Sequence, residues 1–445
     1  MIWKSLLFLA YVSLFCFLIS RSKRFKALNI SVWVFLLMFL IRVLAGGAMT
    51  ALYTWYYPVE TSDIHKLFND GLIIYHELFS HPLRYIQLIT GLYRDDMSVT
   101  LSQMHWWFKP IYINNYNETR ALIRLNAVFD VFSAGFLPIN MLFMAMISLT
   151  GSFFWYLVGL KHLKVNPLAS FVTSFFLPSI LLWTSTVLKE GIIFTLLGVF
   201  FYYAFESFKR KPSSIVLLIV LLLLLTLVKP FLSAFIIISG LGYIIYRKYS
   251  IVKASITVVL LNLFFLLGIP MLKLINPSWD AIHDLCYKRG EYIYLAERLP
   301  APSLIFHNYL PFTYSSVFHE LPNALTAVIL RPFPFEILSP LYILPALENM
   351  AISLLLLLWL FRVLKRKADV VTPDLLFMNL FFLNAILIGL TIPVLGSIVR
   401  YKAPFLLLLI FPLLRSVRTP PSFVFISTFV FKSPVNEESF SQEIS

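Results

Sequence analysis

Lys189, Glu190 and Gly191 stand between two apolar runs, Leu177 to Leu188 and Ile192 to Ala204. An adjacent cation and anion in such a place is costly in lipid and marks a functional position. The abrupt restart of apolar sequence predicts a tight turn between two buried helices. The charged pair would sit at its tip, and Gly191 would let the backbone turn without a Cβ. Other ionisable groups fall at comparable boundaries. They are Asp63 in Thr61-Ser62-Asp63-Ile64-His65, Lys229-Pro230, Arg331-Pro332-Phe333-Pro334-Phe335-Glu336, and Arg400-Tyr401-Lys402.

A carboxylate held near a membrane interface can deprotonate an acceptor hydroxyl, because partial burial raises its pKa toward working pH. Asp63 is the candidate general base, and its alternative role is to cap the helix that follows, where Thr61 or Ser62 would serve equally well. Lys189 and Arg400 can present positive charge to a lipid phosphate or pyrophosphate, with Glu190 orienting one of them. The plainer alternative is a snorkelling pair at the interface. Lys402 adds a second cation beside Arg400, and both also suit an interfacial anchor. The Arg331 guanidinium can grip phosphate or carboxylate bidentately while the Phe and Pro rings pack on sugar or prenyl; otherwise an Arg331–Glu336 pair stiffens the loop. Glu348-Asn349 reads as the start of a helix, where a carboxylate suits the dipole. Arg42 lies inside an apolar run, with Asp130 as its candidate partner.

Several chemistries find little support. There is no G-x-x-x-x-G-K-[ST] loop and no strand-linked G-x-G-x-x-G. The eight histidines are scattered and there are only two cysteines, so no metal set is read and no cofactor is expected, with any divalent cation left open. Asp95-Asp96 read as solvated acids. Ser179 and Ser185 lack a His and Asp in a hydrolase context. Asn117-Glu118-Thr119 matches a glycosylation acceptor, which matters only in a eukaryotic secretory pathway.

The elements that must position these residues are membrane helices. The 445 residues are 59% hydrophobic and 13% charged, with a mean hydropathy of +0.83, which describes an all-α polytopic membrane protein. The net charge of +14 falls in short clusters between apolar runs, so nucleic acid is not an expected partner. Apolar windows near 2–20, 29–52, 136–160, 167–188, 191–208, 214–228, 231–246, 254–275, 343–361, 374–396 and 403–414 predict about eleven spans. Alternate connectors carry Arg21/Lys23/Arg24/Lys26, Lys161/Lys164, Lys209/Arg210/Lys211, Arg247/Lys248/Lys253, Arg362/Lys365/Arg366/Lys367 and Arg415/Arg418. Positive charge stays inside, so these six connectors are read as cytoplasmic, the N-terminus as external and the 419–445 tail as cytoplasmic. Lys229-Pro230 divides a long apolar stretch, and a hairpin there keeps the later basic loops in phase.

Residues 1–418 read as one multispan domain with external loops at about 53–135 and 276–342. In the first loop, Phe68, Leu72, Tyr75 and Phe79, flanked by Leu67 and Leu78, have the spacing of a helix face lying on the membrane. The second loop is rich in Pro and is expected to be mostly irregular, with a helix at Val317 to Ile329.

Taken together, Leu177-Pro178-Ser179-Ile180-Leu181-Leu182-Trp183-Thr184-Ser185-Thr186-Val187-Leu188-Lys189-Glu190-Gly191, Ser62-Asp63, Leu227-Val228-Lys229-Pro230, Arg331 to Glu336 and Arg400-Tyr401-Lys402 with Pro404 resemble bacterial multispan proteins of cell-surface polysaccharide clusters. The chain looks like the GT-C class of lipid-dependent glycosyltransferases or the neighbouring O-antigen-polymerase-like proteins. That resemblance implies transfer of a sugar or oligosaccharide from a lipid-linked saccharide donor to a saccharide or lipid acceptor, at the external face among membrane lipids. It implies the base role for Asp63 and phosphate contacts for Lys189, Arg331 and Arg400, with Glu190 and Lys229 in support. The extra N-terminal span departs from the GT-C layout, as does the lack of a large C-terminal external domain. Both leave open a repeat-unit polymerase, and a lipid-saccharide flippase or transporter is the rival from another class.

Overall fold

The computed structural model describes residues 2–416 except 27, 29, 58, 60, 61, 93–97, 109–115, 208–212, 278, 299–302, 307, 337, 338 and 369. Thr61, Asp95, Asp96, Lys209, Arg210, Lys211, Arg418 and the 419–445 tail lie outside the described residues.

The described residues are mostly helical and include no strand, and Leu304 and Val394 form an isolated bridge. In order, the helices are α1 (Ile2–Arg21), α2 (Val32–Tyr56), α3 (Asp63–Ser80), α4 (Pro82–Thr90), α5 (Thr119–Ser133), α6 (Leu137–His162), α7 (Pro167–Phe176), α8 (Pro178–Thr184), α9 (Lys189–Ser207), α10 (Ser213–Val228) and α11 (Pro230–Tyr246). They continue with α12 (Ile251–Ile275), α13 (Ala281–Arg298), α14 (Tyr314–Ile329), α15 (Pro340–Leu364), α16 (Thr372–Thr391) and α17 (Leu395–Ser416). Among the described residues, eight of these are long and apolar enough to cross a bilayer: α1, α2, α6, α9, α12, α15, α16 and α17. The remaining three of the eleven expected windows also fall on helices, but in other forms. The 167–188 window is the pair α7–α8, bent by 41° where Pro178 interrupts the backbone ladder. The windows around 214–228 and 231–246 are the shorter apolar helices α10 and α11.

In lipid, packing rather than water exclusion joins helices. Trp155 of α6 meets Phe194 and Phe201 of α9, Phe377 of α16 and Phe411 of α17, with ring centroids 6.2, 5.9, 6.0 and 6.1 Å away. Its indole N–H donates to Phe194 O at 2.9 Å, so the ring is fixed in register. Asn379 of α16 donates to Ser239 of α11 at 3.0 Å and accepts from Asn262 of α12 at 2.5 Å, tying three helices by polar bonds. At Gly389 of α16 a Cβ would run into Ala324 O of α14, so the two backbones touch there.

The two ends of the bundle differ. At one end His162 pairs with Glu206 at 3.3 Å and Arg415 with Asp374 at 3.1 Å, and Phe205 packs on Tyr243 and Phe377. The ends of α6, α9, α11 and α17 and the start of α16 therefore meet, close to several basic connectors. At the opposite end meet the start of α9, the α10–α11 turn and the segments carrying Asp63 and Arg400. Thr226 donates to Ser233 across the α10–α11 turn at 2.9 Å, so Lys229-Pro230 is the turn of a hairpin.

The stretch between α2 and α6 is itself folded. Asp70 of α3 accepts from the backbone N–H groups of His105 and Trp106 at 2.8 and 2.7 Å, and Asn117 donates to the carbonyls of Trp106 and Trp107. Two expectations change here. The apolar stripe of α3 packs largely on protein instead of the membrane: Leu67 and Phe68 are buried, Leu72 and Tyr75 half-buried, and Phe79 alone of the named face is exposed. The cause is α5, which approaches so closely that a Cβ on Gly71 would lie 2.7 Å from Asn126 Cβ. The stretch between α12 and α15 is more helical than its prolines suggest, since α13 and α14 occupy much of it, Pro322 is taken up inside α14, and Pro311, Pro332 and Pro334 fall outside both helices.

Candidate functional site

Ser62 is the N-cap of α3 and accepts from His65 N–H at 3.4 Å, which puts Asp63 in the first turn of the helix. His65 reaches back to Thr54 Oγ1 at 2.8 Å and so ties this end of α3 to α2. Burial pushes the His65 imidazole below its ordinary pKa.

Asp63 Oδ2 accepts from Arg400 Nη1 at 2.7 Å, and Arg400 Nε donates to Glu190 Oε1 at 2.8 Å. Three residues from distant parts of the sequence thus form one chain of ion pairs. Glu190 is 2% exposed and Arg400 7%, whereas the Asp63 side chain is 33% exposed and faces outward. Tyr53, from the end of α2, borders the same guanidinium. An arginine fork is suited to holding two carboxylates at fixed angles.

The Lys-Glu-Gly corner differs from expectation. Lys189, Glu190 and Gly191 form the first turn of α9, and the chain reverses earlier, over Ser185–Leu188. Gly191 is helical, and what it permits is the approach of Thr184 O, which a Cβ would strike.

Lys189 is ion-paired with Glu118, just ahead of α5. Lys229 and Lys288 of α13 lie within electrostatic reach of the same carboxylate. Burial alone would raise the Glu118 carboxyl, but Lys189, Lys288 and Lys229 pull it down to about 2. Lys229 Nζ sits 5.1 Å from the Phe231 ring and 5.2 Å from the Tyr401 ring, and Arg400 lies 5.2 Å from that same Tyr401 ring. Tyr401 also meets Tyr292 of α13 through their hydroxyls at 3.3 Å. Tyr401 therefore joins the carboxylate–arginine chain to the lysine group.

Lys402 belongs elsewhere. Two residues beyond Arg400 on a helix, it points to another side, where its ammonium donates to Val328 O, Arg331 O and Asn349 Oδ1 at 2.9, 2.9 and 2.8 Å. Those three acceptors use all three of its donors. Arg331 pairs with Glu336 at 3.3 Å, and Glu336 accepts from Phe333 N–H at 2.9 Å, which is the stiff-loop alternative. Arg331 and Glu336 make no contact with the Asp63 chain among the described residues. Glu348 lies inside α15 and, instead of serving its own helix, accepts from Ser179 N–H at 2.7 Å, capping the broken start of α8.

Arg42 is fully buried and bonds to Ser148, Ser152, Thr184 and Ser185, at the C-terminal end of α8, whose dipole favours a cation. The expected Asp130 partner is not there: Asp130 accepts from Asn140 at 2.8 Å and from Ser133 at 3.4 Å. Among the described residues no group of three or more His, Cys, Asp or Glu could hold a metal ion.

Glu118 and Lys288 were not readable as site residues, because each sits in a polar segment where a charge is ordinary. The one hint was Asn117-Glu118-Thr119, a polar cluster just before an amphipathic helix. Comparison with protein-family models, curated proteins and solved structures returns no match.

Proposed function

We propose that this protein is a membrane glycosyltransferase that moves a sugar or oligosaccharide from a polyprenyl-phosphate or pyrophosphate carrier to a saccharide or lipid acceptor. The observation that carries this reading is the Asp63–Arg400–Glu190 chain beside the lysine group at one end of the bundle. In the step envisaged, the acceptor hydroxyl oxygen attacks the anomeric carbon as Asp63 takes its proton. The bond from that carbon to the phosphate oxygen breaks, and the electron pair leaves on the phosphate, whose charge the ammonium groups offset. Arg400, shared between two carboxylates, orients Asp63, and the phosphate falls to Lys189 and Lys229. The reading includes eleven spans, with the hairpin α10–α11 and the bent α7–α8 each crossing the bilayer. It places the site end outside, the start of α1 outside and the tail inside. Support for that orientation is the gathering of basic connectors at the end opposite Asp63.

The test is a mass-spectrometric profile of polyprenyl-linked and surface saccharides from cells carrying the wild type, a deletion or Asp63→Asn at matched protein levels. Both changes are expected to leave an intermediate short by one sugar, and a gap of one repeat unit would identify a polymerase instead. If Asp63→Asn matches wild type while the deletion strands a complete lipid-linked product inside, the protein is a transporter.

A further inference from the structure

Lys229 is 8% exposed, yet among the described residues its ammonium makes no hydrogen bond and no ion pair; only the rings of Phe231 and Tyr401 lie against it. A buried ammonium loses its hydration, and two ring contacts return only part of what is lost. The remainder calls for an anion. The carboxylates in electrostatic reach are Glu118, already in contact with Lys189, and Glu190, already bonded to Arg400. Three ammonium groups within electrostatic reach of one carboxylate suit an anion of higher charge, a phosphate or pyrophosphate.

We infer that Lys189, Lys229 and Lys288 form a binding site for a phosphate or pyrophosphate group, in which the Glu118 carboxylate is a resident counterion that competes with the ligand. Lys229 anchors the ligand by desolvated charge, Lys189 exchanges Glu118 for it, and Lys288 contributes from α13. Glu118 at 7% exposure keeps the lysines together when no ligand is bound. The same chemistry is offered by a lipid phosphate and by a free one. The site deepens the transfer reading by naming where the leaving group would sit, and it rests on that reading only for the identity of the molecule bearing the phosphate.

The experiment uses the full chain in detergent, titrated calorimetrically with inorganic pyrophosphate in one arm and farnesyl phosphate in the other, at neutral pH. Lys229→Gln is expected to weaken binding at least about tenfold, as loss of a buried charge partner does. Glu118→Gln is expected to tighten it several-fold by removing the competitor. Affinity unchanged in Lys229→Gln, or weakened in Glu118→Gln, overturns the site. The Glu118→Gln arm decides the matter if Lys229→Gln fails to fold. Tighter binding of farnesyl phosphate than of pyrophosphate assigns the ligand to a lipid, and the reverse to a soluble anion, with the site supported in both cases. If the expected affinities are found while Asp63→Asn cells keep a wild-type saccharide profile, the anion site stands and the transfer reading falls. Sugar transfer that is insensitive to Lys229→Gln, with binding unaffected, removes the site and leaves transfer intact.

Discussion

Arg400 is useful because it is shared. One edge of its guanidinium meets Asp63 and the Nε meets Glu190, so its removal would strand Glu190, 2% exposed, as an uncompensated buried charge. Breaking such a pair costs about 3–5 kcal/mol. Arg400→Gln should therefore lower the amount of folded protein and its thermal midpoint, and Arg400→Gln with Glu190→Gln should recover most of that loss, since the buried carboxylate is then gone and Asp63, 33% exposed, keeps its contact with solvent. A double mutant as unstable as the single would show that the pair does not control stability. The rare charges between apolar runs made Asp63, Lys189, Glu190, Lys229 and Arg400 readable in the sequence, because lipid leaves few other reasons for them. Lys402 was read with Arg400 for the same reason and belongs to a separate network. Its partners Val328 O and Arg331 O are backbone groups, and no residue type announces them.

At the scale of elements, hydropathy revealed the membrane helices well and their partners poorly. The stripe on α3 has the spacing of an interfacial helix, but spacing does not say whether lipid or α5 covers it; Gly71 opposite Asn126 decides for α5. The junction of α5 and α6 is secured by a polar cluster in which Asp130 accepts from Asn140 and Ser133, while Asp130 Oδ2 and Asn140 Oδ1 are buried without partners. A proton on Asp130 supplies a donor that the cluster otherwise lacks. Burial accordingly pushes its carboxyl up to about 7, with the bonds from Asn140 and Ser133 working against that rise. A folded-state pKa above the ordinary 3.8 means that the folded form holds the proton longer. Stability contributed by this group is then full below about pH 4, declines as pH rises toward 7 and is flat above. Asp130→Asn supplies a permanent donor, so its thermal midpoint should match wild type at about pH 4 and below and exceed it at pH 8, with an upper bound of about 4 kcal/mol. Equal midpoints at pH 8 would mean that the carboxylate is solvated.

For the whole molecule, the proposed transfer at the external face requires one particular orientation in the membrane. The end with the His162–Glu206 and Arg415–Asp374 pairs and the end with Asp63 and Lys229 are separated by the length of α9, 19 residues or about 28 Å. In the sequence the alternation of basic connectors suggests two unlike ends, whereas the convergence of Asp63, Glu118, Glu190, Lys229, Lys288 and Arg400 required the fold, since they come from six separate segments. Cysteine labelling tests the orientation. In a chain with Cys16 and Cys286 replaced by Ser, Asn69→Cys on α3 should react with an impermeant thiol reagent in intact cells. Lys367→Cys, in the exposed turn after α15, should react only after permeabilisation. Lys248→Cys and Lys367→Cys together separate two topologies: a hairpin that crosses twice keeps both on the side opposite Asn69→Cys, and a single kinked span at Lys229-Pro230 puts both on the side of Asn69→Cys. If Asn69→Cys proves accessible only from inside, the carboxylates and lysines face the cytoplasm, where a soluble donor could reach them, and the need for a lipid-linked donor disappears.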